Sequence, residues 1–160
     1  MKVRQALSAD FRSVDDLLET VYVGEGYTSA DRGGALRSVA DRSQACTIMV
    51  ATNDDGVVVG TVTLITSQNS YAQIRGETEA EVRLLAVSPE ARGGGAGAAL
   101  MHCCMERSKA AGFERLVLST QTTMVAAHRL YERLEFAREE SRDWQRASGR
   151  RMLVYVLQLA

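Results

Sequence analysis

The chain lacks any apolar run approaching the ~18 residues of a membrane-spanning helix, so nothing in it reads as a membrane segment. It is also short of net charge, at -1 over 160 residues, which argues against nucleic acid or an anionic membrane as its main partner. Cysteine is scarce and odd in number, three in all, and Met1-Lys2-Val3-Arg4 leads into a mixed segment without the apolar stretch of a secretory leader. A reducing cytoplasmic setting is therefore expected. No metal is expected: His102, Cys103 and Cys104 are consecutive on a predicted helix and point around its circumference rather than converging. Internal repeats, linkers and low-complexity segments are missing too. With 46% apolar and 24% charged residues, the composition suits a single domain spanning 1-160.

What is present is concentrated in Glu81-Val-Arg-Leu-Leu-Ala-Val-Ser-Pro-Glu-Ala-Arg92-Gly-Gly-Gly-Ala-Gly97. Val82 to Val87 reads as a buried strand, closed by Ser88-Pro89 where proline cannot donate to a ladder. Four glycines follow within Gly93 to Gly97, and Ala98, Ala99, Leu100 and Met101 continue as a helix of good propensity. The first turn of a helix carries unpartnered N–H groups and the positive end of the peptide dipole, so it attracts phosphate oxygens. Arg92 adds a planar cationic fork suited to the same anion. Glycine content alone also suits a close-packed turn. Two other nucleotide motifs are missing. Ala98-Ala99 stands where a P-loop requires Lys-Ser/Thr, and the turn lies too late in the chain for a dinucleotide fingerprint.

The remaining pattern alternates strands and helices. Val3 to Ala6 reads as a strand, and Ser8 as the cap of a helix with Phe11, Val14, Leu17, Leu18 and Val21 on one face, ending near Gly24. Asp31 begins a second predicted helix through Leu36, Val39 and Ala40. Cys46 to Thr52 and Val57 to Ser67 flank the hairpin signal Asn53-Asp54-Asp55-Gly56 and should pair antiparallel. A polar loop from Ser67 to Thr78 leads to the strand Glu79 to Val87 and the glycine turn. The helix after that turn ends at Gly112, Leu116 to Thr120 is a strand and Val125 to Leu134 a helix. Ala137 to Arg142 and Met152 to Leu159 are late strands, with Ser148-Gly149 turning between them. An exposed late strand would also allow a homodimer.

With Arg92, Gly95 and Gly97 in place after a valine-rich strand, the chain resembles the GNAT superfamily of acyl-CoA N-acyltransferases. The signature of that family is Gln/Arg-x-x-Gly-x-Gly/Ala. A second segment, Ala127-His128-Arg129-Leu130-Tyr131-Glu132-Arg133-Leu134-Glu135-Phe136, is similar to its later motif. Met124 replaces a common asparagine, and Glu135 the glycine that usually ends the helix. The resemblance covers essentially the whole chain. It implies a mixed α/β fold: a mostly antiparallel, twisted sheet of six to seven strands, splayed at the fourth and fifth and flanked by about four helices. It implies acetyl-CoA as co-substrate, its diphosphate on Arg92, Gly93, Gly94, Gly95, Ala96 and Gly97. Leu85, Ala86 and Val87 would pair with the pantetheine arm, and Thr120, Ala127 and Tyr131 would also contact the cofactor.

Acyl transfer to an amine needs a neutral nucleophile, a site for the developing oxyanion and a proton for the departing thiolate. An alkylamine of pKa ~10.4 is only roughly 0.04% neutral at pH 7, so a base or water chain is expected. Glu81 matches a glutamate with that role in some family members, and Glu79 is the alternative. Two residues apart on one strand face, the two carboxylates would repel and raise one pKa. Equally, both suit solvated edge charges partnered by Arg83. Tyr131 resembles the family's thiolate-protonating tyrosine, with His128 one turn away. The oxyanion donor would be a backbone N–H near Ala86 or Val87. Cys103 and Cys104 have no cue for thiolate activation, which favours direct transfer. Tyr22, Glu25, Tyr27, Tyr71, Glu77 and Trp144 fall in the segments that, the resemblance implies, build the acceptor site, a mixture suited to a cationic amine or simply to covering the core. The acceptor is thus a small-molecule or protein amine. The competing functions are an acyl-CoA sensor with little turnover and, less suited to the motif, an NTP-binding protein.

Overall fold

Two-residue periodicity sets the centre of the molecule. The computed structural model describes residues 1–27 and 38–159. Among these, β1 (Lys2–Gln5), α1 (Phe11–Leu18), α2 (Val39–Arg42), β2 (Thr47–Thr52), β3 (Val58–Ile65) and β4 (Glu79–Val87) precede the glycine turn. α3 (Ala96–Ala110), β5 (Arg115–Gln121), α4 (Val125–Arg133), β6 (Ala137–Arg138), β7 (Trp144–Gln145) and β8 (Arg151–Gln158) follow it. The sheet runs β1-β2-β3-β4-β5-β8-β6, with β7 also on β8. Every pairing is antiparallel except β4 with β5.

Alternate residues of β2 go to opposite faces, as the pleat requires. Met49 and Ala51 join a core with Leu100, Met101 and Cys104 of α3 and Tyr131 of α4. Ile48 and Val50 pack instead against Val14, Leu17 and Leu18 of α1 and Val39 of α2. Helices therefore cover both faces of a mixed α/β fold.

Three local expectations change. Ser8 does not cap α1; it begins a 3₁₀ turn, Ser8–Asp10, with no side-chain cap bond. Asp10 closes that turn by accepting the Leu7 N–H at 2.7 Å while Arg4 holds its carboxylate, and α1 itself has no side-chain cap bond. Asp31 and Leu36 lie outside the described residues, and the described part of that predicted helix is the single turn α2. The strand expected from Ala137 to Arg142 stops at Arg138 and gives way to a 3₁₀ turn, Glu140–Arg142. There Arg142 reaches Glu79, and next to it Arg138 reaches Asp143, so the charges serve ion pairs rather than a ladder. With β6 and β7 each only two residues long, the sheet has eight strands instead of six or seven.

The break in the sheet lies at its centre. β4 and β5 pair from Glu79↔Arg115 only as far as Val82↔Leu118, although both strands continue. On its other edge β4 pairs Arg83 with Thr63 and Ala86 with Thr61, one extra residue on β4. That bulge falls at Leu84, which adopts φ 57°, unusual for a leucine. The bulge bends β4 away from β5 and leaves its backbone without a β5 partner past Val82.

Candidate active site

β4 ends at Val87 and passes through a 3₁₀ turn, Pro89–Ala91, into the glycines. Gly93 and Gly95 take the left-handed conformation at φ 85° and 87°, which folds successive N–H groups toward one side. Gly95 is the N-cap of α3 and brings no side chain to it, so the first amides of the helix have no capping partner. Gly97 is required for another reason. A Cβ there would approach Leu130 Cδ2 to 3.2 Å and Val87 to 3.7 Å, so glycine permits the close contact of α3 with α4 and β4.

This turn opens on a cleft of about 410 Å³ between the bulged half of β4, α3 and α4. Of the residues expected to hold a cofactor, Leu85, Ala86, Val87, Arg92, Gly93, Gly95, Ala96, Gly97 and Ala127 line it. Gly94 does not. Thr120 and Tyr131 line an adjoining cavity of about 40 Å³ between the splayed strands. The two spaces share Tyr22, Leu85 and Met124, so they meet at the bulge. Sequence reasoning missed Leu130 and Arg133 as lining residues. Their spacing from Ala127, three residues at each step, would have placed all three on one helix face.

Arg92 is engaged. Its guanidinium donates to Glu25 in a bidentate pair at 3.0 and 2.5 Å, and these hydrogen bonds to the carboxylate raise its pKa further. Glu25 was expected at the acceptor site, but it lies at the opposite end of the cleft. An anion bound at the turn must share or displace it. Glu25→Gln should therefore raise affinity for coenzyme A by two- to fivefold, at most about 1 kcal/mol for so exposed a pair. Titration calorimetry on the two proteins checks this.

At the other end, Tyr131 is buried, with its ring against Phe136 and Tyr155. Its hydroxyl makes no hydrogen bond among the described residues. Burial pushes the phenol well above its usual value, so it stays protonated at neutral pH. Tyr22 donates its hydroxyl to Leu85 O at 2.9 Å, which fixes the bulge from the α1 side. His128 is bound to Gln121 O through Nε2 at 2.9 Å and lines neither space. Cys104 is buried and its thiol is raised to about 12 by desolvation, which removes it as a nucleophile.

The two acids of β4 are both committed. Oε1 of Glu81 accepts the N–H groups of Gln73, Ile74 and Arg75 at 3.0, 3.0 and 3.1 Å, and Oε2 accepts Gln73 at 3.1 Å. The side chain is fully buried and lines neither space. Glu79 accepts from Arg142, Arg115 and the Gly76 N–H. Burial works to raise this carboxyl, yet its donors outweigh burial and hold it at about 2. The expected mutual repulsion is thus overridden by arginines, and Glu79 is not a base near neutrality. Tyr71, Glu77 and Trp144 line neither space. Among the described residues no group of histidine, cysteine or acid side chains could hold a metal, and no helix is long and apolar enough to cross a membrane.

The family model of the GNAT acetyltransferases matches residues 10–136. The chain belongs to that family. No curated protein sequence matches it. Among solved structures, the fold is similar to a GNAT phosphinothricin acetyltransferase from Sinorhizobium meliloti in complex with AcCoA, at TM-score 0.79 and 21% identity over 99% of this chain and 88% of that one. It is also similar to a GNAT acetyltransferase from Staphylococcus aureus Mu50, at TM-score 0.78 and 15% identity over 99% of both chains. A ribosomal-protein-alanine N-acetyltransferase from Brucella melitensis gives TM-score 0.74 and 17% identity, over 99% of this chain and 100% of that one. One departure from the family motif is accommodated by the fold. Glu135, in the place of the helix-ending glycine, adopts φ 70°, and Phe136 N–H closes the helix on Tyr131 O at 2.9 Å.

Proposed function

We propose that the protein transfers an acetyl group from acetyl-CoA to a primary amine by direct attack. The observation that carries this is the uncapped N-terminus of α3, beside Arg92, opening on a cleft that leads to Tyr131 in the splayed sheet. The turn suits a diphosphate because it offers free amides and no Cβ atoms in the way at Gly93 and Gly95. Acetyl-CoA would supply an activated acyl group as a thioester. Residues 93–97 and Arg92 would hold its diphosphate, with Arg133 a further cation on the cleft wall. The backbone at Leu85, Ala86 and Val87, freed from β5 by the bulge, would align the pantetheine arm and offer an N–H to the developing oxyanion.

Tyr131 would donate its proton to the departing sulfur, the role best supported by a hydroxyl with no hydrogen bond among the described residues on a side chain that lines the small cavity. Glu81 is better suited to positioning than to taking the amine proton, because its oxygens face loop amides. The amine would then deprotonate through water or enter neutral. A second reading, acyl-CoA sensing without turnover, is favoured by one observation: no described carboxylate or histidine lines the small cavity.

Thiol release from acetyl-CoA across an amine panel separates the two. Binding without release on any amine would support the sensor. Given turnover, Tyr131→Phe should lower kcat by roughly 10- to 100-fold while leaving coenzyme A affinity nearly unchanged, since only one proton is removed. Steady-state kinetics with calorimetry tests it, and unaltered kcat would leave Tyr131 a packing residue.

A further inference from the structure

The small cavity between the splayed strands carries a charge imbalance. Arg83 of β4 and Arg146, just after β7, both line it, and no described aspartate or glutamate does. Elsewhere in the molecule Arg92, Arg115, Arg138 and Arg142 each meet a carboxylate at 2.8 Å or less. Arg83 instead donates to the Tyr71 carbonyl at 2.8 Å. Its nearest acid, Glu81, offsets part of the charge, but that carboxylate is spent on loop amides. Nε of Arg146 is buried without a partner, as is the hydroxyl of Ser119 on the same wall. Arg150 extends the cationic side, bound only to neutral oxygens of Gln121 and Tyr27. Burial works against both lining guanidiniums, with repulsion from Arg146 added at Arg83 and from Arg150 at Arg146. Half-buried cations with little counter-charge are costly, and an oxyanion would satisfy their N–H groups and relieve the repulsion together.

Resting on the acetyltransferase reading, we propose that the acceptor is an amine that also carries a small oxyanion, with a free amino acid as the simplest case, and that Arg83 and Arg146 hold the oxyanion. The same chemistry accepts a carboxylate, phosphonate or phosphinate and disfavours polyamines, whose added cations would face the arginines. The acid-lined site for a cationic amine expected from Glu25 and Glu77 is replaced by the opposite polarity: Glu25 sits on Arg92, and Glu77 is exposed in the loop before β4.

The test is a matched series at saturating acetyl-CoA: free amino acids, their primary amides, the corresponding decarboxylated amines, aminoalkylphosphonates and polyamines, read by thiol release. The anionic members should exceed their neutral partners in kcat/KM by roughly tenfold or more, as for loss of a charge-assisted contact. Arg146→Gln and Arg83→Gln should remove that preference through acceptor KM, with acetyl-CoA KM unchanged and Arg146→Lys partly restoring it. Thermal melts identify variants that fail to fold. Equal or better turnover of amides, simple amines or polyamines overturns the inference while the transferase reading stands. So does a preference that survives in folded Arg146→Gln. If acetyl-CoA binds but nothing in the series reacts, the transferase reading fails. Calorimetry of the amino acids on the coenzyme A complex then decides the anion site, and absence of Arg146-dependent binding overturns it.

Discussion

Gly95→Asp is expected to weaken coenzyme A binding by roughly 100-fold, about 2.7 kcal/mol, in a protein that remains folded. Gly95 holds φ 87° at the N-cap of α3, and no atom lies within 4 Å of an added Cβ. Aspartate is among the side chains that tolerate this conformation, at a cost of roughly 1 kcal/mol. Its carboxylate would cap the free amides of α3, which returns about as much. The thermal midpoint should therefore move only a few degrees. What changes is the site. The new carboxylate occupies the amides proposed to hold the diphosphate and would place like charge beside it. Calorimetry with coenzyme A, paired with a melt, reads both effects. Unchanged affinity in the folded variant would remove the diphosphate from this turn. The effect should exceed that of losing Arg92, because Arg92 already shares its charge with Glu25 and is half in solvent.

The strand–glycine-turn–helix segment was legible in the sequence because its chemistry is local. A strand, a proline stop, an arginine and left-handed glycines at a helix start are contiguous, and each has a backbone reason to be there. β4 was recovered at its full extent, Glu79–Val87, since its apolar run has sharp ends. The bulge was implied only by family resemblance: nothing in the string Arg83-Leu84-Leu85 announces φ 57° at Leu84. The ion pairs around the cleft and along β4 depend on contacts across long separations, which residue type cannot specify. Glu25 is 67 residues from Arg92, and Glu79 is 63 from Arg142. From spacing alone, Glu79 and Glu81 seemed to repel each other on one strand face. The folded chain instead brings arginines to Glu79 and the amides of 73–75 to Glu81, so the two acids fasten one loop rather than share a proton.

That fastening sets the second large effect. Glu81→Gln should lower stability by on the order of 3 kcal/mol, roughly 10 °C in Tm. The loss arises because a neutral amide replaces the carboxylate that receives three loop N–H groups in a fully buried place. Whichever way the amide turns, its NH2 occupies one former acceptor position and faces a donor, as at Gln73 N–H. Gln73 lines the small cavity and the Tyr71 carbonyl holds Arg83, so a loosened loop should also raise acceptor KM. A general base behaves differently. Its removal would cut kcat by about 10²- to 10⁴-fold with little change in Tm, and the deficit would shrink as rising pH supplies neutral amine. Melting the variant and measuring its pH–rate profile on one accepted amine therefore separates anchor from base. A lowered Tm with an unshifted profile is the expected result; an unchanged Tm with a collapsed, pH-rescued kcat would make Glu81 the base after all.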